Sequence, residues 1–341
     1  VDVITRWEIL AYSSRLPPGR GYVLRLHDES GRIGLGEARA LDGFASGPTT
    51  LESFLSRPDA VAALLNNPEA DANAPIEAVF AAETALADLA AQAQNVTLVE
   101  HLGYVLPPTL SNSLLVGNHV AAMQLLDEGH RNFKLKAQGA AQDTMELLRL
   151  LFDASDGATN IRIDANGTWD RATAEKFLNE APRGSVSFIE QPFPPGDLDS
   201  CLWLRDRQPV PIALDEGAVS AEDVDLAARC GAAQVIVVKP MYRGLHGALR
   251  LAAAAAEHGL GVCVTHAMDG TVGRLATTHV AAAVDSMCPD SEWPHGLFAP
   301  DLTVLADEPM LQPDRLLMPA GNGIGCHGLR SDQLEPVCAA P

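Results

Sequence analysis

The sequence predicts an α/β protein in which a parallel barrel of alternating strands and helices follows a smaller α+β unit. Short apolar runs alternate with amphipathic segments from about residue 111 onward, whereas the first hundred residues follow a different pattern. The 341 residues exceed one typical domain but suffice for a barrel and a smaller partner. Hydrophobic residues make up 47% of the chain, which is enough for a large core.

The amino-terminal unit begins as strands and continues as helices. Apolar alternation over residues 3–12 and 21–38 predicts an antiparallel meander, with LPPGRG and DESGR as its turns. From Gly47 to about Ala93 the apolar spacing becomes helical, from a Pro-Thr start signal to the long run IEAVFAAETALADLAAQA. Together the two parts predict an α+β unit over about the first hundred residues.

Seven strand candidates follow: SNSLLVG, RNFKLKA, TNIRIDAN, SVSFIEQP, VPIALDE, AQVIVVKP and LGVCVTH. The segments between them, such as AAQDTMELLRLLFDA and SAEDVDLAARC, carry apolar residues at helical spacing. This alternation predicts a parallel sheet with right-handed crossovers, either closed as a barrel or open and doubly wound. The number of repeats, and the absence of a G-x-G-x-x-G motif after the early strands, favour the barrel.

The charge balance limits the expected partners. Acidic residues outnumber basic residues by 44 to 24, for a formal net charge of -20. Nucleic acid and anionic membrane surfaces repel a polyanion, so neither is expected, and an anionic substrate needs a local positive site. The acidic, lysine-poor composition also fits a host with a salty interior, although ordinary acidic proteins share it.

Cysteine usage and the chain's apolar segments predict a cytoplasmic protein. The six cysteines form no C-x-x-C pair and show no zinc-type spacing, so we expect them to be reduced and mostly packed. The first ten residues, VDVITRWEIL, lack a basic region followed by an apolar core. The longest alanine-rich stretch, residues 248–264, is interrupted by charged residues.

Four consecutive strand candidates end in a reactive side chain: Asp164, Glu190, Asp215 and Lys239, at spacings of 26, 25 and 24 residues. One strand-helix unit has about this length, so these groups are expected at equivalent heights at the carboxyl-terminal face of a barrel. Three unpaired carboxylates there would repel one another. A hard divalent cation with oxygen ligands resolves the repulsion, and Mg²⁺ fits better than zinc because no His or Cys shares the pattern.

The chain contains only four lysines, and three of them close short apolar runs. Lys134 and Lys136 stand two apart on FKLK, so both side chains are expected inside the barrel while Leu135 faces the helices. Two neighbouring ammonium groups beside a cation lower each other's pKa, which would let Lys136 act as a base near neutral pH. Lys239 supplies a second amine across the barrel mouth. A carboxylate substrate on Mg²⁺ would have its α-proton acidified, because the metal stabilises the enediolate.

The sequence allows two structural roles for each of two residues near these strand ends. Asn166 either caps a helix that starts near Thr168 or orients a metal ligand. Glu216 either pairs with Lys239 or caps the next helix. A lone acidic residue at a strand end is more often a cap or an ion-pair member than a ligand. Three such residues in register with three lysines reverse that preference.

The motifs K-x-K at 134–136, D-A-N at 164–166, E-Q-P at 190–192, D-E at 215–216 and K-P at 239–240 resemble those of the enolase superfamily, muconate-lactonising subgroup. The likeness extends to G-L-G-E-A at 34–38 and E-T-A-L-A-D-L-A at 83–90 in the amino-terminal unit. It implies a modified TIM-type (β/α)7β barrel over 106–315, an α+β capping domain over 1–105 with a three-stranded meander, and a carboxyl-terminal segment, 316–341, that returns to the cap. It also implies Mg²⁺, with Mn²⁺ as a substitute, and a small-molecule carboxylate substrate; homo-oligomerisation is left open.

The resemblance also implies residue roles. Asp164, Glu190 and Asp215 would be the metal ligands, Lys136 the base, Lys239 the opposing cation and Lys134 the electrostatic partner of Lys136. Residues expected to contact substrate or to orient the ligands are Arg162, Asn166, Glu216, Thr265, His266, Gly296 and Leu297. Cap loops near Arg15 to Arg20 and Leu41 to Ser46 would close over the substrate, with Arg15 or Arg20 meeting a carboxylate.

Within the subgroup, the chain most resembles the o-succinylbenzoate synthase family of menaquinone biosynthesis. Arg162 in I-R-I-D-A-N, H-G-L at 295–297 and the absence of an Asp-x-Asp pair in that last segment favour this carbon-oxygen lyase reaction. It is the syn-dehydration of 2-succinyl-6-hydroxy-2,4-cyclohexadiene-1-carboxylate. The alternatives are an N-acylamino acid racemase or dipeptide epimerase, and a non-catalytic carboxylate-binding barrel. The chain departs from the synthase pattern at Thr265-His266-Ala267-Met268, where His266 is either a substrate contact or a rim histidine.

Overall fold

The computed structural model describes residues 3–68, 71–137, 142–289, 291–298, 305–307, 310–326 and 328–340. The strands are β1 (Ile4–Arg15), β2 (Pro18–Asp28), β3 (Ile33–Ala38), β4 (Thr109–Ser111), β5 (Leu114–Val116), β6 (Asn132–Lys136), β7 (Asn160–Asp164), β8 (Val186–Glu190), β9 (Ile212–Leu214), β10 (Val235–Val238), β11 (Gly261–Val264), β12 (Leu311–Gln312), β13 (Arg315–Leu317) and β14 (Glu335–Ala340). The helices are α1 (Pro48–Leu55), α2 (Pro58–Asn66), α3 (Ile76–Gln94), α4 (Leu98–His101), α5 (His119–Asp127), α6 (Gln142–Ala154), α7 (Arg171–Glu180), α8 (Leu198–Arg205), α9 (Ala221–Cys230), α10 (Leu245–Glu257) and α11 (Thr271–Met287).

The amino-terminal unit is an antiparallel sheet covered by helix α3. Strands β1, β2 and β3 form the expected meander, and β14 adds to its edge by pairing with β1. The strands are longer than the sequence suggested, because β1 continues to Arg15 and β2 already starts at Pro18. Helix α3 approaches β3 so closely that a side chain at Gly36 would overlap the backbone oxygen of Ala81. Only glycine permits this approach.

The second region is a parallel barrel, as predicted. Strands β5 to β11 lie side by side in sequence order, and each coincides with one of the seven strand candidates. The extended segment His295–Gly296 completes the barrel by bridging Asn112 on one side and Thr265 on the other. His295 fixes this segment, since its ring accepts the Val264 N–H at 3.0 Å and contacts Asp285 Oδ1 at 2.9 Å. The barrel is therefore the correct choice over the open sheet.

The helices between the barrel strands follow the predicted amphipathic segments, with one change that affects the site. The helix expected to start near Thr168 begins at Arg171, with Asp170 accepting the Thr173 N–H as its N-cap. Asn166 is therefore not a helix cap. Helix α9 is likewise capped by Ser220, so Glu216 has no capping role either.

The small sheet formed by β12, β13 and β4 lies outside the barrel sheet. Its strand β13 spans the proposed boundary between the barrel and the carboxyl-terminal segment at residue 316. All six cysteines are free, and none of the helices in the described ranges is both long and apolar enough to cross a membrane.

Candidate active site

The strand ends bring the predicted carboxylates to one height on the barrel. Lys136 on β6 is in register with Asp164 on β7, which is in register with Glu190 on β8. Asp215 follows β9 directly, as Lys239 follows β10. Asp164, Glu190 and Asp215 are 2%, 0% and 2% exposed. Three almost fully buried carboxylates on neighbouring strands require positive charge close by.

In this structure the buried lysines supply that charge. Lys134 Nζ donates to both oxygens of Glu190 at 2.7 Å and lies 2.8 Å from Asp164 Oδ2. Lys239 Nζ forms a short ion pair with Asp215 Oδ2. Each lysine therefore holds a carboxylate at a strand end, and both amines are fixed in position.

The lysine pKa values follow from these pairs. Burial alone would lower the pKa of Lys134, but Asp164 and Glu190 raise it above its ordinary value. In the same way Asp215 and Glu190 outweigh burial and raise the pKa of Lys239. Without a bound cation, the carboxylates beside Lys134 thus outweigh both burial and the neighbouring positive charges in setting the pKa of this lysine.

The pKa values of the three carboxyl groups do not all shift in the same direction. Burial raises the pKa of Glu190, and Asp164 raises it further, against the opposing effect of Lys134. Burial likewise raises the pKa of Asp215, with Lys239 opposing it. The pKa of Asp164 lies below its ordinary value, because Lys134 outweighs the effect of burial. Burial thus disfavours the ionised forms of Glu190 and Asp215, and the lysine beside each of them favours these forms.

The donor set suits a hard divalent cation, although the carboxylates are not gathered around one point. Among the residues that the structure describes, no three His, Cys, Asp or Glu side chains lie close enough together to ligate one ion. Lys134 and Lys239 stand between the carboxylates instead. The three acids offer only oxygen donors, they are buried, and the pKa of two of them is raised without a cation. The chemistry of these three donors thus fits Mg²⁺.

Lys136 differs from the other two lysines. Its side chain is exposed to the cavity, and its Nζ has no ion pair or hydrogen bond within the described part of the chain. Leu135, between the two lysines, is buried in the hydrophobic core and does not line the cavity, as the strand alternation predicts. Lys136 is thus the one amine of the three that can reach a bound molecule without first breaking a described ion pair.

A cavity of about 440 Å³ opens above the strand ends. Its lining residues are Leu16, Pro17, Leu41, Phe44, Ser113, Leu115, Lys134, Lys136, Arg162, Asp164, Asn166, Lys239, Tyr242, Thr265, His266, Ala267, Met268, Gly296 and Phe298. The cap contributes Leu16, Pro17, Leu41 and Phe44, from the two loops expected to cover the substrate. Phe44 stacks on Tyr242 with ring centroids 5.9 Å apart, and Lys239 Nζ lies 6.0 Å from the Phe44 centroid. These apolar side chains form a roof over the charged floor of the cavity.

Of the two cap arginines expected to meet a substrate carboxylate, Arg20 is paired with acidic residues instead. Arg20 pairs with Glu52 at 2.6 Å and with Glu335 at 3.7 Å. The side chain of Arg15 lies outside the described residues. Arg162 does line the cavity, where it donates to Cys263 Sγ and to the Pro294 oxygen and lies 4.0 Å from Glu190.

The remaining predicted residues divide into cavity residues and packing residues. Thr265, His266 and Gly296 line the cavity, and a side chain on Gly296 would come within 2.7 Å of Arg162. Leu297 is buried in the hydrophobic core and does not line the cavity, so it is not placed to contact a substrate directly. Glu216 accepts from Asn166 at 3.3 Å. The Asn166 N–H donates to Asp164 Oδ1 at 3.0 Å, which supports its role in orienting that carboxylate.

Gln191 positions the loop that carries Asp215, a role that the sequence analysis does not predict. Its Oε1 accepts the N–H groups of Asp215 and Gly217 at 3.0 and 2.9 Å, while its Nε2 donates to the Phe193 oxygen at 2.8 Å. Gln191 also adopts a left-handed conformation, with φ of 39°. It therefore joins the ends of β8 and β9. The E-Q-P motif pointed to it, but only the fold shows which loop its amide reaches.

Comparison with known proteins identifies the fold and the family. The family model for enolase C-terminal domain-like proteins matches residues 118–328. The structure of muconate cycloisomerase from Pseudomonas fluorescens superposes with a TM-score of 0.82 at 24% identity, covering 97% of each chain. A mandelate racemase/muconate lactonizing family protein from Azoarcus sp. EbN1 gives a TM-score of 0.81 at 21% identity, covering 98% of this chain and 96% of that one. These structures share the fold.

Curated relatives place the chain among enzymes. It is 31% identical over 268 residues to the o-succinylbenzoate synthase of Thermosynechococcus vestitus, covering 76% of this chain and 80% of that protein. It is 34% identical over 202 residues to muconate cycloisomerase 1 of Rhodococcus opacus, which covers 58% of this chain and about half, 53%, of the relative. An L-Ala-D/L-Glu epimerase from Clostridium acetobutylicum is 28% identical over 158 residues, covering 46% of this chain and 44% of that protein. The prediction of an enzyme is thereby confirmed, and the chain belongs to the enolase C-terminal domain-like family, in the muconate-lactonising subgroup of the enolase superfamily.

Proposed function

We propose that this chain is a Mg²⁺-dependent o-succinylbenzoate synthase, which dehydrates 2-succinyl-6-hydroxy-2,4-cyclohexadiene-1-carboxylate. One observation carries the choice of reaction. Lys136 is exposed to the cavity without a described partner, whereas Lys239 is buried and paired with Asp215. A syn-dehydration needs one mobile base and one fixed cation. A two-base racemisation needs both amines to exchange protons.

The chain's residues would act in a defined order. Lys136 would remove the α-proton of the bound carboxylate and return it to the departing hydroxyl on the same face. Lys239, whose pKa is raised by Asp215 and Glu190, would keep its proton and stabilise the negative charge that develops in the enediolate. Phe44 and Tyr242 would cover the ring and keep water from the reacting atoms.

Asp164, Glu190 and Asp215 would hold the Mg²⁺ ion, with Mn²⁺ as a substitute. When bound, the ion would supply Lewis-acid stabilisation of the substrate carboxylate. Lys134 would release Asp164 and Glu190 to the ion and remain beside Lys136 as a positive charge. Asn166 and Gln191 would keep Asp164 and Asp215 at the mouth of the barrel.

The synthase relatives support this proposal without excluding the other reactions of the subgroup. A second synthase, from Thermobifida fusca, is 34% identical over 176 residues, covering 50% of this chain and 54% of that protein. The cycloisomerases and the epimerase are similar at comparable identity. An N-acylamino acid racemase or dipeptide epimerase is the second candidate, because Lys136 and Lys239 both line the cavity. We further propose that the protein is cytoplasmic and serves menaquinone biosynthesis.

The test is turnover of freshly prepared cyclohexadiene substrate, followed by ultraviolet absorbance with Mg²⁺ and with EDTA, at low and at molar salt. We expect metal-dependent conversion that falls by about a thousandfold in Lys136→Ala, since a general base contributes about 10²- to 10⁴-fold. Lys176→Ala is the matched control, because this fourth lysine is exposed on α7. No conversion at any salt concentration would overturn the synthase assignment.

The same preparations would then distinguish the alternatives. Deuterium exchange at the α-carbon of both enantiomers of an N-acylamino acid would establish the racemase. In that case Lys239→Arg should abolish exchange on one enantiomer only. Conversion of cis,cis-muconate would establish a cycloisomerase instead. A synthase with Lys239→Arg should keep part of its dehydration activity, because the cation is preserved.

A further inference from the structure

His266 lines the cavity, and its ring is held in one orientation. Its Nδ1 accepts the Met268 N–H at 3.0 Å. Its own backbone N–H donates to the Gly296 oxygen at 2.9 Å, which joins it to the segment that closes the barrel. A ring nitrogen that accepts from a backbone N–H carries no proton, so the proton of the neutral imidazole resides on Nε2.

Met268, whose N–H donates to the His266 ring, is itself held in place by a residue of the cap. Met268 adopts a left-handed conformation, with φ of 61°, which a non-glycine residue keeps only when its surroundings enforce it. Arg39, fully buried after β3, donates to the Met268 oxygen through Nη1 and to the Pro17 oxygen through Nη2 at 2.6 Å. One guanidinium therefore ties the cap loop at Pro17 to the peptide that orients His266. Both Pro17 and Met268 line the cavity.

The surroundings of His266 keep the ring neutral. Burial lowers the pKa of His266 to about 3, and the charges of Arg274, Lys134, Lys239 and Arg162 act in the same direction. A neutral imidazole that is already engaged at Nδ1 has no acceptor left with which to take a proton. Nε2 has no hydrogen-bond partner among the residues described, although the side chain lines the cavity.

We propose that His266 is a specificity-determining residue, whose Nε2–H donates a hydrogen bond to a second oxygen of the substrate, separate from the carboxylate held near Lys136 and Lys239. Arg39 and Met268 position the ring for this contact. The substrate class is thus a carboxylate that carries a further carbonyl or carboxyl oxygen on a neighbouring carbon branch. This inference rests on the proposed function, in which the succinyl arm provides that oxygen.

The first test concerns the tautomer and needs no turnover. Protein labelled with ¹⁵N-histidine is compared with His266→Phe to assign the ring signals. We expect a neutral ring with Nδ1 unprotonated and Nε2 protonated throughout pH 6 to 8. A ring protonated at Nδ1, or a charged imidazolium in this range, would overturn the proposal, whatever reaction the enzyme performs.

The second test measures recognition. Calorimetry with Mg²⁺ compares benzoate with 2-acetylbenzoate, which adds one carbonyl oxygen beside the carboxylate. We expect the wild type to prefer 2-acetylbenzoate by about tenfold, the value of one net hydrogen bond. The preference should fall to near one in His266→Phe and return in part in His266→Gln, whose amide restores a donor. An unchanged preference in His266→Phe would overturn the proposal.

Two further variants complete the experiment. His119→Phe, an exposed substitution on α5, should leave the preference unchanged. Arg39→Met should lower the preference and broaden the His266 ring signals, since it frees the Met268 peptide. If Arg39→Met lowered only the melting temperature and left the preference intact, the positioning role would be refuted. Failure of the wild type to convert the cyclohexadiene would refute the synthase assignment alone, because the tautomer test is independent of turnover.

Discussion

The carboxylate of Glu37 in the cap accepts the backbone N–H of Gly270, at the first turn of the last barrel helix. Its second oxygen, Oε2, accepts the Gly273 N–H at 2.9 Å, and the Tyr12 hydroxyl on β1 donates to the first oxygen, Oε1, at 2.6 Å. Helix α11 has no side-chain cap of its own, and a side chain on Gly270 would come within 2.9 Å of Glu37. Glu83 acts likewise for α10, where it accepts the Leu245 N–H at 2.6 Å. The cap thus supplies N-terminal capping groups for two barrel helices.

Replacing Glu37 with Ala should therefore loosen the junction between the cap and the barrel. The variant leaves two helix N–H groups without a carboxylate in a buried position, which should lower the free energy of unfolding by about 2 to 3 kcal/mol. Chemical denaturation measures the change. Glu52→Ala is the control, because Glu52 is in an exposed pair with Arg20 worth at most about 1 kcal/mol. Equal losses in the two variants would contradict the capping role.

The pH dependence of stability should contain a contribution from Asp269, which is buried in the same junction. Burial, reinforced by Glu37, raises the pKa of Asp269 to about 7, although Arg274 and Arg39 act in the opposite direction. The folded protein therefore retains this proton where the unfolded chain, with the ordinary value of 3.8, has lost it. Stability should fall as the pH rises from about 4 to 7 and then level off.

The Asp269→Asn variant removes this titration and should flatten that part of the profile. Because each pKa unit corresponds to about 1.4 kcal/mol, the difference between the variant and the wild type should change by up to about 4 kcal/mol across this range. Urea unfolding at pH 4.5 and at pH 7.5 measures it. A wild-type stability that rises over this interval by more than the variant's would show that Asp269 is ionised in the folded state.

Lys134 should matter most when the metal is absent. Its amine compensates Asp164 and Glu190, so Lys134→Met leaves two buried acids without their shared ammonium group and should cost about 3 to 5 kcal/mol in EDTA. Mg²⁺ should restore much of this loss, because the ion would take over the compensation. The measurement is the melting temperature with EDTA and with Mg²⁺. A metal-induced increase no larger in Lys134→Met than in the wild type would argue against competition between the amine and the ion.

The fold could be predicted from periodic features of the chain. Contacts between segments that are distant in sequence could not. The spacing of Asp164, Glu190 and Asp215 fixes their height on the barrel, because each strand-helix unit has nearly constant length. The same spacing does not show that Lys134 occupies the space between two of them. Which side chain fills a buried space depends on charge balance in three dimensions.

The roles of Leu297, Asn166 and Arg39 depend on contacts that the local sequence does not reveal. The H-G-L motif makes Leu297 a candidate for contacting substrate or supporting the site, and the structure buries it in the hydrophobic core while the neighbouring Gly296 lines the cavity. Asn166 was a candidate cap because a polar residue often precedes a helix, yet α7 begins five residues later. The role of Arg39 had no local signal at all, since its partners, Pro17 and Met268, lie on two separate loops.

Gln191 provides a test of how the metal ligands are oriented. Its amide oxygen accepts two hydrogen bonds, from the backbone N–H groups of Asp215 and Gly217. No other donor to this oxygen is found among the described residues. Gln191→Leu keeps the approximate size but removes the acceptor, so Asp215 should become less well placed. Loss of a partner that orients a ligand typically lowers metal affinity by about 10- to 100-fold.

The measurement for Gln191→Leu is Mg²⁺ affinity, by calorimetry or by the metal dependence of turnover. We expect a raised Mg²⁺ requirement with turnover largely recovered at saturating metal, because Lys136 and Lys239 are unchanged. Gln208→Leu is the control, since Gln208 forms an exposed hydrogen bond with Asn179 far from the strand ends. A Gln191→Leu enzyme with unaltered metal affinity but a much lower maximal rate would instead place Gln191 in the reaction itself, and the orienting role would be wrong.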